Sequence, residues 1–120
     1  MMGKKKKGKQ SEGQKRFQTH FRKFHEKVTT AHPQYVFDET GKTYRVLGIT
    51  KSSQTNGVLN VKLKVNPEPN NKEQAYIRTK PQEVKKGVQS ERLKGWKFSS
   101  EDKAAVKKII ENAKKPKKQQ

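Results

Sequence analysis

His32, Lys51, Arg45 and Arg78 are the residues of this chain best suited to chemistry: an imidazole that exchanges protons near neutral pH, and cations that stabilise developing negative charge. Metal-free RNA cleavage needs those types, as a general base, a general acid and positive charge around the phosphorane. The other histidines offer less. His20 and His25 are five residues apart, roughly 140° around a helix, so they do not share a ligand face as a pair four apart would. With no cysteine and no carboxylate cluster, no metal site and no cofactor are expected. Asp38 with Glu39 sits at a turn, and Glu101 with Asp102 at a helix start. Both acidic pairs therefore have structural roles, which argues against two-carboxylate or two-metal chemistry. The P-loop, the glycine-rich dinucleotide motif and HExxH are all missing.

Charge gives the broader signal. The 120 residues hold 30 Lys and Arg against 11 Asp and Glu, a net charge of +19. Lys4, Lys5, Lys6, Lys7 and Lys9 lie in a basic N-terminal arm (1–10), and Lys114, Lys115, Lys117 and Lys118 in a tail (114–120). Both ends are expected to be disordered. Setting those nine aside leaves 21 basic residues against 11 acidic ones, so the body (11–113) keeps about +10. A body this basic repels itself unless an anion neutralises it. Only Arg16, Arg22, Arg45, Arg78 and Arg92 are arginines. Lysine suits phosphate neutralisation and arginine suits guanine readout, so the bias predicts backbone binding with little base reading. The expected partner is nucleic acid, RNA or DNA.

The elements that must position these residues follow from periodicity. Phe17, Phe21, Phe24 and Val28 recur at spacings of four, three and four, which predicts a helix over 11–30 with Arg22 and Lys23 on its basic faces. Pro33 stops it. "QYVFDETGKTYRVLGIT" predicts a hairpin, and Asn56-Gly57 a turn into the alternating run "VLNVKLKVNPEP". There Leu59, Val61, Leu63 and Val65 face one way, and Asn60, Lys62, Lys64 and Asn66 the other. "QAYIRT" is a fourth strand, 81–95 reads as a long loop, and "WKF" supplies core aromatics. Over 99–115, Ser99 or Ser100 caps a helix with Glu101 and Asp102 in its first turn and Val106, Ile109, Ile110 and Ala113 as its buried stripe. The expected fold is α+β: an N-terminal helix, a four-stranded antiparallel sheet and a C-terminal helix in one domain.

On that fold, Lys62 and Lys64 lie on the solvent side of the sheet, with Arg45, Arg78 and Lys51 nearby and Arg22 and Lys23 on the first helix, as the expected nucleic-acid-binding set. Tyr35, Tyr44 and Tyr76 fall in predicted strands, where they stack bases or fill the core. No apolar run approaches the roughly 18 to 20 residues that span a bilayer, and nothing apolar follows the basic N-terminal run as a secretory signal requires. A cytoplasmic protein with no membrane partner is expected.

At "HPQYVF", "YRVLGITKS", "NVKLKVNPEP", "AYIRT" and "LKGWKFSSEDK" the chain resembles small basic proteins of Gram-positive bacteria and their mobile elements. The helix-then-sheet order is similar to the barnase and RelE-like ribonucleases. That resemblance implies a metal-independent ribonuclease of toxin type, or a relative that only binds, with Thr50, Lys51, Ser52 and Thr55 as candidates near the site. An interaction protein docking on an acidic partner is the third expectation.

Overall fold

The runs HFRKF, PQYVFDE and TYRVLGIT are rich in the aromatic and β-branched residues that fit a pleated surface. In the computed structural model, which describes residues 17–25 and 32–114, they form an antiparallel meander of β1 (His20–Phe24), β2 (Pro33–Glu39) and β3 (Thr43–Thr50). Thr40 closes the β2–β3 turn: its hydroxyl oxygen accepts the N–H of Thr43 at 2.9 Å and of Lys42 at 3.2 Å. The strands β4 (Gln54–Thr55) and β5 (Val58–Leu59) form a small hairpin. At its tip Asn56 (φ 51°) and Gly57 (φ 80°) take the left-handed conformation that a two-residue turn of this kind requires. The chain continues through β6 (Val61–Lys62), β7 (Tyr76–Ile77), β8 (Gln82–Lys85), β9 (Ser90–Arg92) and α1 (Ser100–Lys114).

Apart from the hairpin, the strands make one seven-stranded antiparallel sheet in the order β9–β1–β2–β3–β7–β6, with β8 also paired to β3. The far edge of β3 is thus divided, Thr43–Val46 pairing with β8 and Ile49–Thr50 with β7. On a flat sheet β8 and β9 would stand four strand spacings apart, about 19 Å. Fully extended chain from Lys85 to Ser90 reaches only about 17 Å, and a Val88 N–H to Lys85 carbonyl bond of 3.1 Å shortens it further. The sheet must therefore curl, so that β1, β2, β3, β8 and β9 form an incomplete ring, with no ladder joining β8 to β9 among the described residues.

Curling gives the sheet two buried faces. Phe24, Val36, Val46 and Val84 pack inside the ring, with Phe17, Tyr44 and Val88 against them. On the outer face Phe21, Phe37, Leu47, Ile49, Leu63 and Ile77 pack against Phe98 and against Val106 and Ile109 of α1. Each such side chain removed from water contributes about 1.5–3 kcal/mol, so a chain poor in apolar residues still assembles a core. Helix α1 starts as its sequence predicts, with the Ser99 hydroxyl accepting the Asp102 N–H at 3.2 Å.

The expected N-terminal helix and four-stranded sheet are not what the chain forms. Residues 20–24 are strand β1. Phe21 and Phe24 are both buried because each of the two faces has its own core, and a spacing of three puts them on opposite faces of a strand. Two-sided burial therefore imitates a helical stripe. Residues 17–19 and 25 are not helical either, whereas 11–16 and 26–30 of that predicted helix, with Lys15, Arg16, Lys27 and Val28, lie outside the described residues, as do the arm (1–10) and residues 115–120 of the tail. The predicted loop over 81–95 instead holds β8 and β9, with Val84 as its one deeply buried side chain. The clean alternation of 58–65 breaks at Asn60, whose side-chain amide donates to the Ser52 carbonyl (3.0 Å) and the Thr55 hydroxyl (2.9 Å). Leu63 is buried, whereas Leu59 and Val65 are 73% and 52% exposed. Among the described residues no helix is long and apolar enough to cross a membrane.

Candidate functional site

Strand register fixes which side each predicted residue takes, because directly paired residues face the same way. Lys62 and Thr50 both pair with Tyr76, Gln34 pairs with Gly48, and Arg22 pairs with Gln34 and with Arg92. The Arg78 N–H donates to the Gly48 carbonyl at 2.9 Å, continuing the β3–β7 ladder. Lys62, Arg78 and Arg22 consequently share the ring side of the sheet. Arg45 and Lys23 lie on the opposite side, where the Arg45 guanidinium is 5.5 Å from the Phe37 ring centroid. The expected set is split between two faces.

Several of its members are also engaged. Lys64 Nζ is 3.3 Å from Glu101, and Lys51 Nζ is 2.8 Å from Glu73. The hydrogen bond and charge of Glu73 raise the Lys51 pKa above its ordinary value, so Lys51 holds its proton more tightly. Arg22 Nε donates to the Ser90 hydroxyl at 3.0 Å, and its guanidinium lies 5.3 Å from the Tyr44 ring centroid. Arg78 crosses Gly48 so closely that a Cβ there would stand 2.9 Å from Arg78 Cδ.

Among the cleavage candidates, Thr50 is buried and its hydroxyl oxygen accepts the Ser52 N–H at 3.2 Å. His32 is exposed, and its carbonyl accepts from the Gln34 side-chain amide at 3.2 Å. The two stand at one end of the β2–β3 ladder, each two residues beyond the Gln34–Gly48 pair. Among the described residues, no group of three or more His, Asp or Glu is arranged to hold a metal ion.

Helix α1 brings together cations that periodicity alone did not single out. Its exposed residues include Lys103, Lys107 and Lys108, forming a basic ridge with a cleft on either side. One cleft, about 570 Å³, lies between α1, β1, β2 and the loop over 93–99. Its walls are largely aromatic and aliphatic, with Tyr35, Trp96 and Ile110 partly exposed. Lys97, Lys103 and Lys107 rim it, and Glu111 is the one acid in its lining. The other cleft, about 780 Å³, is lined by Arg45, Lys80, Lys108, Ile109 and Asn112, among others. Of the expected cations, then, Arg45 reaches a cleft beside the helix. The i, i+4 spacing of Lys103 and Lys107 on the polar side of a helix was the available signal for the ridge.

The described residues carry 19 Lys and Arg against nine Asp and Glu, a net +10. Seven of those nine acids are used within the fold. Glu39, Glu73, Glu91 and Glu101 pair with Lys86, Lys51, His25 and Lys64. Asp38, Glu68 and Asp102 accept hydrogen bonds from the fold itself. Comparison with known proteins gives no assignment: no family model, curated protein or solved structure matches the chain.

Proposed function

We propose that the protein binds nucleic acid, RNA or DNA, chiefly through contacts with the phosphate backbone. The observation that carries this reading is the net +10 on the folded body itself, with a ridge of exposed lysines along α1. Lysine contacts of this kind release condensed counterions, so affinity falls as salt rises.

The test is incubation with labelled single-stranded RNA, duplex RNA and duplex DNA in EDTA across a salt series, following retention and strand integrity together. If about six phosphates are engaged on duplex, the slope of log affinity against log salt is about −5. Affinity that does not respond to salt rejects the proposal. Cleavage in EDTA that is lost in His32→Ala or Lys51→Ala would replace it with the metal-independent ribonuclease. Preference for an acidic protein over every nucleic acid in competition would replace it with an interaction protein.

A further inference from the structure

Three aromatic rings surround Phe21, and two of them are only partly covered by the fold. Phe21 lies 5.0 Å from Phe98, 5.1 Å from Tyr35 and 5.6 Å from Trp96, measured between ring centroids. Phe21 and Phe98 are buried, whereas Tyr35 and Trp96 remain partly exposed in the wall of the 570 Å³ cleft. The buried pair fixes the orientation of the outer pair. The loop carrying Trp96 is pinned on both sides. Leu93 N–H donates to the Phe21 carbonyl at 2.8 Å, and Lys97 N–H to the Pro67 carbonyl at 3.1 Å. Gly95 (φ 81°) makes the left-handed bend between those points. Little ordering remains to oppose binding.

We infer that this cleft takes an unpaired nucleobase, so that the protein holds single-stranded RNA or DNA with a base against Trp96 and Tyr35 and flanking phosphates on Lys97, Lys103 and Lys107. The inference rests on the nucleic-acid reading above and narrows it. Aromatic walls alone accept any apolar group, but three lysines against Glu111 select an anionic occupant. A polymer that presents planar rings on an anionic backbone satisfies both conditions. Lys103 and Lys107 are one turn apart, about 6 Å along the helix axis, and suit successive phosphates of one strand. In a duplex the base faces are already stacked, so the cleft discriminates by base availability rather than by sequence.

Trp96 is the only tryptophan of the chain, so its emission reports on the surroundings of this one side chain. The test titrates the full chain with a short oligouridylate, an abasic strand with the same number of phosphates, a duplex of equal length and polyglutamate. Strand anisotropy or competition is read together with Trp96 emission. The expected result is quenching by oligouridylate only, with affinity about tenfold above that of the abasic strand. Trp96→Leu, checked for native circular dichroism, is expected to bring the two strands to equal affinity. Lys103→Ala with Lys107→Ala is expected to flatten the salt slope yet leave quenching at saturation unchanged. Binding of all nucleic acids without quenching, or equal affinity for the abasic strand, overturns the inference and leaves phosphate binding standing. Equal quenching by polyglutamate overturns it as well. If no nucleic acid binds, both readings fall.

Discussion

Asp102, 2% exposed in the first turn of α1, accepts the backbone N–H of Lys64 at 2.9 Å and of Val65 at 3.0 Å, one on each carboxylate oxygen. The helix is thereby anchored to the segment leaving β6. Hydrogen bonds to a buried charged group contribute about 1.5–3 kcal/mol, and their loss leaves two donors unpaired. Asp102→Ala is expected to lower unfolding free energy by about 3 kcal/mol in urea titration. Glu101→Ala, which removes only an exposed ion pair with Lys64, is expected to change it by less than about 1 kcal/mol. Equal losses would mean that the carboxylate's backbone contacts are not the anchor.

Gly48 and Arg78 are expected to be coupled. An added Cβ at Gly48 meets Arg78 Cδ at 2.9 Å and stands 3.5 Å from Gln34 Oε1, so the arginine stem must move. Gly48→Ala is expected to cost about 1–3 kcal/mol. In an Arg78→Ala background the clash is gone, and the same change is expected to be neutral or stabilising. A double-mutant cycle in urea measures the difference, and additive effects would rule out the close approach as the reason for glycine here.

Stability is expected to decline as pH falls below 6.5, partly through His20. Burial lowers its pKa; the hydrogen bond to the Gln18 carbonyl opposes this, and Arg92 and Arg22 add to the lowering. Because a carbonyl only accepts, Nδ1 carries the proton of the neutral ring. Protonation would then place a second N–H at Nε2, which is buried without a hydrogen-bond partner among the described residues. Below 6.5 the unfolded chain binds a proton more readily than the folded one, so stability rises with pH through that window and is independent of His20 above it. Urea midpoints of wild type and His20→Gln, compared on both sides of 6.5, are expected to diverge only on the acid side. Parallel profiles would contradict this.

Leu59 and Leu63 look equivalent in the sequence and are opposite in the fold. Leu63→Ala is expected to cost about 2–5 kcal/mol, enough to unfold much of a small domain, whereas Leu59→Lys is expected to leave the melting temperature unchanged. Thermal melts of the two variants decide this.

The same pair shows what could be read in advance. Alternation located a strand and the correct buried side for Val61 and Leu63, but it carried no information on Asn60, whose side-chain bonds end one strand and begin the next. The Asn56-Gly57 turn and α1 were legible because each rests on local chemistry, a positive φ and a serine cap. Strand β1 was not, since burial on both faces gives Phe21 and Phe24 a helical spacing. Strands β8 and β9 were hidden for the opposite reason: β8 buries Val84 deeply, and β9 holds only Ser90, Glu91 and Arg92. Alternation assigns a side to Lys62 and Lys64 but not to Arg45 or Arg78, whose parity only the register supplies, so the expected set groups Arg45 with Lys62 although they lie on different faces.

The curled sheet also orders events in time. The β2–β3 hairpin joins near neighbours and can form as soon as those residues are available, but the β9–β1 seam pairs Ser90 with Phe24, so most of the described chain must exist before it is sealed. Until then β1 has one unpaired edge. A nascent chain paused before Ser90 therefore exposes a sticky edge flanked by Phe21 and Phe24. Reaching the last strand is what covers that edge.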